Sequence, residues 1–152
     1  MQQLTLLFLR KDGRILLAMK KRGFGVGKWN GTGGKVEPEE TIHDAAIREC
    51  QEEIGVTPRN IIKVGELRFY MSHNPLFGHH AHIFIATSWD GEPHETEEMQ
   101  PAWFLEDEIP YDTMWPDDIQ WLPMVLAGKR FHGSFTLGSD DAIVSQELIE
   151  DK

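Results

Sequence analysis

Three glutamates, Glu49, Glu52 and Glu53, fall close together with Arg48 directly before them. On an α-helix, at about 100° per residue, Glu52 and Glu53 lie within about 60° of Glu49, so three carboxylates project from one face. Ile47, Cys50 and Ile54 gather on a different sector that suits burial. Like charges at i,i+3 and i,i+4 destabilise an isolated helix by a few tenths of a kcal/mol per pair, so something must offset them. Arg48 can pair locally with Glu52. A hard divalent cation does more, because Mg²⁺ takes oxygen ligands, keeps several waters and is commonly shared with substrate phosphates. An acidic run on a helix is more often only a solvated face, so the surrounding residues must decide.

A second group of residue types suits a purine. Trp115 and Phe24 can sandwich a base, and Asn30 offers both a donor and an acceptor to its edge. Asp117 and Asp118 are adjacent carboxylates. If both are desolvated, burial and the neighbouring like charge allow one to keep its proton, and a neutral acid can donate where a carboxylate only accepts. Each residue also has an ordinary reading. Trp115 can be core, the Asp pair can cap the helix that follows, Asn30 can be a turn residue, and Lys20-Lys21-Arg22 can be solvated charge. His79-His80 suggests a transition metal, but adjacent strand residues point opposite ways, so the expectation there is solvent exposure.

The elements that must position these groups follow from local pattern. Apolar runs at Leu4–Leu9 and Ile15–Met19 flank Lys11-Asp12-Gly13 and read as a hairpin. Gly23, Gly25, Gly27, Gly31, Gly33 and Gly34 follow, in a stretch suited to a shaped loop. Thr41 to Ile54 is the best helix, with Thr41 and Asp44 resembling a capping box and Gly55 at the stop. Strands are expected at Ile62–Met71 and Ala81–Thr87, joined by a Gly- and His-containing loop, and near Trp103–Leu105. A short apolar helix is expected at about Ile119–Leu126, with one or two strands in the tail. Strands around two separated helices predict an α+β or α/β sandwich forming one domain over residues 1–152.

Charge narrows the partners. With 15 Lys+Arg against 25 Asp+Glu the net charge is −10, and no basic block offsets it. Binding a nucleic-acid polymer or an anionic membrane surface rests on lysine and arginine, so neither partner is expected. The single cysteine, Cys50, cannot close an internal disulfide. The first apolar run is followed rather than preceded by its basic residues, Arg10 and Lys11, the reverse of a secretory signal. The expected location is cytoplasmic.

From Gly34 the chain reads Gly34-x5-Glu40-x7-Arg48-Glu49-Cys50-x-Glu52-Glu53-x-Gly55-Val56. This resembles the signature box of the Nudix hydrolases, G-x5-E-x7-R-E-U-x-E-E-x-G-U, with Cys50 and Val56 at the apolar positions. The resemblance implies an α/β/α sandwich around a mixed sheet, with a loop–helix–loop motif over residues 34–56. It also implies hydrolysis of a nucleoside diphosphate linked to another group. Carried over, Glu49, Glu52, Glu53 and Glu98 and the Gly34 carbonyl would hold Mg²⁺, with Mn²⁺ as a substitute. Glu49, Glu52 and Glu53 would share catalysis with Arg48, which orients them, while Glu40 supports. Which glutamate acts as base is left open by the motif.

Further stretches resemble the MutT-homologue branch that hydrolyses oxidised purine nucleoside triphosphates. They are Met19–Gly25, Trp29–Gly31, Gly33–Val36, Glu97–Met99 with Trp103-Phe104, Met114–Asp118 and Phe131–Gly133. This resemblance implies substrate contacts from Thr5, Lys20, Phe24, Asn30, Phe69, Trp115, Asp117 and Asp118, in a monomer acting on small nucleotides such as 8-oxo-dGTP or 2-hydroxy-dATP. Alternatives are another nucleoside diphosphate derivative, a normal or alkylated triphosphate, or a nucleotide-binding module without catalysis. The segment His73 to His82 departs from that branch, which bears on how broadly oxidised purines are accepted.

Overall fold

The computed structural model covers residues 1–152, with side chains described at all positions except 75–77. In chain order the strands are β1 (Gln2–Lys11), β2 (Arg14–Lys20), β3 (Trp29–Asn30), β4 (Thr57–Arg59), β5 (Ile62–Met71), β6 (Asn74–Ala86), β7 (Ser88–Asp90), β8 (Met99–Leu105), β9 (Phe131–Leu137) and β10 (Ile143–Glu150). Helix α1 spans Ile42–Ile54, between β3 and β4, and α2 spans Asp118–Leu126, between β8 and β9.

An eight-stranded sheet runs β10-β9-β5-β6-β1-β2-β3, with β8 also pairing β2. Pairs β1–β6 and β5–β9 are parallel and the others antiparallel, so the sheet is mixed. Strand alternation divides the core. Leu7 and Leu9 of β1 join Phe84 of β6 and the α1 residues Ala46, Cys50 and Ile54 on one face. Phe8 joins Leu67, Ala81 and Ile83 with Trp121 and Leu122 of α2 on the other. A helix therefore covers each face, which is the expected α/β/α sandwich.

Helix α1 begins where its sequence places it. Thr41 Oγ1 accepts the Asp44 amide at 3.0 Å, and Gly55 adopts φ +75° while its amide donates to the Gln51 carbonyl.

Two expectations need correcting. The connection expected between residues 71 and 81 is largely strand: β6 begins at Asn74 and pairs with β5 from Met71↔Asn74 onward, through a register shift. The Gly, Pro and Asn there weaken local strand propensity, but pairing with β5, and with β1 from His79 onward, supplies the backbone hydrogen bonds. Part of this divergent stretch, residues 75–77, lies outside the described side chains. His79 and His80 do point opposite ways, but neither is exposed. Among the described residues, no helix is long and apolar enough to cross a membrane.

Candidate active site

The three box glutamates do not share one environment. Glu53 lies about 40° from Glu49 on the helical wheel, on the side of buried Ala46 and Cys50. It is accordingly only 4% exposed, while the Glu52 side chain is half exposed. Ile47, expected to be buried, is only partly covered. The loop before α1 closes over Glu53, and the Gly33 amide donates to its Oε1 at 2.8 Å. Burial, then repulsion from Glu49 and Glu98, pushes the Glu53 carboxyl up to about 8, against the Gly33 bond and the positive charge of Lys20. Burial also raises Glu49, opposed by Arg48.

Arg48 organises the exposed side of the array. Its Nε and Nη2 donate to the two oxygens of Glu40 at 2.7 and 3.0 Å, a bidentate fork. Its Nη1 reaches Glu49 at 2.9 Å and Glu52 at 3.1 Å, and Nη2 also bonds the Lys35 carbonyl at 3.1 Å. The Arg48 bond, more than any other contact, holds Glu40 below the usual carboxylate range. One guanidinium thus hydrogen-bonds three carboxylates, and a fourth, Glu37, lies 3.9 Å from Nη1.

The backbone at Gly33 and Gly34 is packed as closely as the chain permits. A Cβ on Gly34 would stand 2.7 Å from the Glu49 carboxyl carbon, and one on Gly33 would stand 1.8 Å from the Thr5 carbonyl oxygen. The Thr5 amide donates to the Gly34 carbonyl at 2.9 Å. Glu98 arrives from a distant loop through Thr96, whose hydroxyl donates to the Glu53 carbonyl at 2.8 Å and accepts the Glu98 amide at 3.2 Å. Arg22 lies 3.8 Å from Glu98.

Beside this array opens a cavity of about 680 Å³. All eight residues expected to contact substrate line it: Thr5, Lys20, Phe24, Asn30, Phe69, Trp115, Asp117 and Asp118. Glu53 and Gly34 line it too, so the carboxylate array and the aromatic pocket share one space. Lys20, Lys28 and Lys35 all border it, a local concentration of positive charge in an acidic chain.

Asp117 and Asp118 are 4% and 2% exposed. Neither behaves as a simple helix cap. Asp117 makes no side-chain capping bond; its Oδ2 accepts the Trp121 indole N–H at 2.8 Å, while Asp118 Oδ2 accepts the Trp115 amide at 3.1 Å. Burial raises Asp117, opposed by the Trp121 bond. Burial and then the Asp117 charge raise Asp118 well above the usual range, so the pair favours keeping a proton between its two carboxyls.

The aromatic pair differs from expectation. Phe24 and Trp115 stack directly on each other, ring centroids 5.2 Å apart at 28°, so no base fits between them in this arrangement. Phe24 is 75% exposed, held by the glycine loop and not by the core. Lys28 Nζ lies 5.0 Å from the Trp115 ring centroid, and Gly25 leaves the space that ring occupies. Asn30 Oδ1 accepts the Gly31 amide at 2.9 Å, which turns its amide group into mainly a donor toward the cavity. The Thr5 hydroxyl is buried with no hydrogen-bond partner among the described residues.

Several contributors escaped the sequence reading. Trp121 was visible only as an apolar helix residue, although its i,i+4 spacing from Asp117 could have revealed the pairing. Thr96 and Lys28 carried no local signal, and Lys35 appeared only inside the Gly33–Val36 stretch with no role of its own. His79 lines the cavity, and His80 and His82 lie on the opposite face of β6.

A loop–helix–loop that presents such a carboxylate array, on a mixed sheet between two helices, defines a Nudix domain. The NUDIX domain family model matches residues 3–125, and the chain belongs to the Nudix family. Within it, the chain is similar to the oxidized purine nucleoside triphosphate hydrolase of Danio rerio, 49% identical over 148 residues, covering 97% of this chain and 94% of that protein. It is also 46% identical over 146 residues to the mouse (Mus musculus) protein of the same name, covering 96% and 93%. Its fold superposes on the crystal structure of the mutator MutT protein from Bacillus halodurans with a TM-score of 0.88, at 27% identity, covering 97% of each chain.

Proposed function

We propose that this protein hydrolyses oxidised purine nucleoside triphosphates, of the 8-oxo-dGTP or 2-hydroxy-dATP type, to the monophosphate and pyrophosphate. It would do so as a single-domain monomer in the cytoplasm, keeping damaged precursors out of the nucleotide pool. The observation that carries this reading is the shared cavity: the buried Asp117–Asp118 pair and the buried Glu53 border the same 680 Å³. The names of the curated relatives, matched over nearly the whole chain, support it.

The donor set fits a hard divalent cation. Glu49, Glu53 and Glu98 repel one another, the loop packs a glycine against Glu49, and one arginine is shared among three carboxylates. In this reading Glu49, Glu52, Glu53 and Glu98 with the Gly34 carbonyl hold Mg²⁺, or Mn²⁺ in its place. The bound cation would neutralise the polyphosphate and lower the pKa of a water. Glu53, closed under Gly33, orients or deprotonates the water that attacks the β-phosphorus, and the nucleoside monophosphate leaves. Arg48 positions the glutamates. Lys20 and Lys35 meet phosphate oxygens with charge-assisted bonds. At the base, protonated Asp118 donates, Asp117 accepts, and the Asn30 amide donates, while Trp115 and Phe24 offer one continuous aromatic surface for stacking.

The test is pyrophosphate release in Mg²⁺, with 8-oxo-dGTP, 2-hydroxy-dATP and dGTP compared at equal concentration. The oxidised purines should be turned over faster. Equal rates for dGTP and for a sugar-linked diphosphate would overturn the substrate assignment.

A further inference from the structure

A second group of ligating side chains lies outside the cavity. Glu66 of β5 pairs in register with His82 of β6, and His80, two residues away, shares their side of the sheet with Phe84, which packs toward α1. One ligating atom from each of Glu66, His80 and His82 lies within 4.8 Å of the other two. His80 Nε2 stands 3.0 Å, and His82 Nδ1 3.3 Å, from the same Glu66 Oε1. Two ligands of one tetrahedral cation, each about 2.0–2.1 Å from it, stand about 3.3 Å apart, so these spacings already match.

His82 supplies an independent observation. It is 3% exposed, and its Nδ1 has no hydrogen-bond partner among the described residues. Its Nε2 lies 2.7 Å from Gln3 Oε1, an acceptor, so the neutral ring keeps its hydrogen on Nε2. That leaves the Nδ1 lone pair 3.3 Å from a carboxylate oxygen with no hydrogen bond between them. Two acceptor atoms this close repel unless a cation is shared between them. A carbonyl behind the far nitrogen is also the arrangement that fixes the tautomer of a metal-binding imidazole. Lys63 Nζ sits 3.1 Å from Glu66 Oε1 on a part-exposed stem, but it leaves Nδ1 unsatisfied. Lys63 and Arg68 both add positive charge near the histidines, which any bound dication must overcome through its ligand bonds.

We propose that Glu66, His80 and His82 form a binding site for a transition-metal dication of the Zn²⁺ class, on the opposite side of the sheet from the nucleotide cavity. Two imidazoles and one carboxylate suit Zn²⁺, Cu²⁺ or Ni²⁺ and not Mg²⁺. A bound ion would tie β5 to β6 beside β1.

The experiment is calorimetric titration of the whole protein with Zn²⁺ in saturating Mg²⁺, which occupies the box glutamates, alongside Co²⁺ titration read by visible absorption. One equivalent of Zn²⁺ should bind, Co²⁺ should give the strong absorption of a tetrahedral site, and the melting temperature should rise with added Zn²⁺. Glu66→Gln and His80→Ala should each weaken binding by at least about 10–100-fold, while hydrolysis in Mg²⁺ persists. Both positions are less buried than His82, whose replacement can cost folding. Zn²⁺ binding that saturating Mg²⁺ abolishes, or that survives in E66Q and H80A, overturns the site. The hydrolysis assay reads the nucleotide reaction separately, so failure of either proposal is recognisable.

Discussion

Two carboxylate clusters border one cavity and face the same physical problem, excess negative charge removed from water. The glutamates of α1 and of the loop before it meet it with cations: Arg48 bonds Glu40, Glu49 and Glu52, and a divalent ion is proposed to complete the set. The pair Asp117–Asp118 is proposed to meet it with a proton, because its hydrogen-bond partners are neutral donors, the Trp121 indole and the Trp115 amide. The difference follows from access. The glutamates have a half-exposed rim at Glu52 and Glu98, open to an ion with its waters, whereas the aspartates are sealed beneath aromatic side chains. A carboxylate needed for metal must ionise, while one needed to recognise a base edge gains by staying neutral.

The harshest way to break the contrast is Glu53→Gln. The amide keeps the shape and can still accept from Gly33, but it removes a charge that a proton cannot replace in function. Turnover should fall by about 10²–10⁴-fold with substrate binding largely kept. Circular dichroism and thermal melting should show an intact fold, since the amide is close in size and shape to the carboxyl and removes no packing group. Undiminished pyrophosphate release would mean that the α1 glutamates are a structural ion network and not the reaction centre.

Gly34→Ala probes the same cluster through geometry. The new methyl would stand 2.7 Å from the Glu49 carboxyl carbon, so Glu49 must move while every ionisable group is retained. Activity should fall by about 10–100-fold, with the apparent Mg²⁺ requirement raised in parallel. A Mg²⁺ dependence that did not change would place Glu49 outside the cation site.

How far the sequence revealed these clusters differs between them. The box was legible because helix and loop lie within residues 34–56, where spacing along the chain becomes spacing on a wheel. Glu53's burial was less legible: its wheel angle borders the buried sector, but only the Gly33 loop closing over it decides the matter. Glu98 reaches the array through the Thr96 hydroxyl, a contact spanning residues far apart in sequence that no periodicity encodes. The acid pair was legible in kind, as adjacent aspartates after a tryptophan, but its indole partner and its sealing depend on tertiary packing. In β6, local composition misled because pairing with two neighbouring strands outweighed propensity. The stacked Phe24–Trp115 pair was foreseen as a clamp, and the glycine loop instead lets the two rings meet.

Asp118→Ala and Asp118→Asn together test the proton solution. Alanine removes both the donor and the acceptor of the Trp115 amide, and should weaken substrate binding by about 1–3 kcal/mol, read as KM for 8-oxo-dGTP. Asparagine restores a neutral donor and an acceptor, so its KM should lie much nearer the native value. Equal losses in the two variants would show that the negative charge, and not the donated hydrogen, matters at the base.

The smallest effect is the most direct comparison of the clusters, because it needs no substrate. The folded-state pKa of Asp118 lies well above its unfolded value of about 3.9. Between those two values the folded protein holds a proton that the unfolded chain has released, so the pair's contribution to stability declines as pH rises through that window. Asp118→Asn is neutral in both states and lacks this slope. Thermal melts of the native and D118N proteins, run from pH 4 upward, should therefore diverge, the native protein losing ground steadily relative to the variant. Since the two aspartates titrate as a unit, the readout is the difference between the proteins and not a value assigned to either residue. Parallel curves would mean that both aspartates ionise in the fold at no cost, and the sealed pair would then be solving its charge problem as the glutamates do, with a cation.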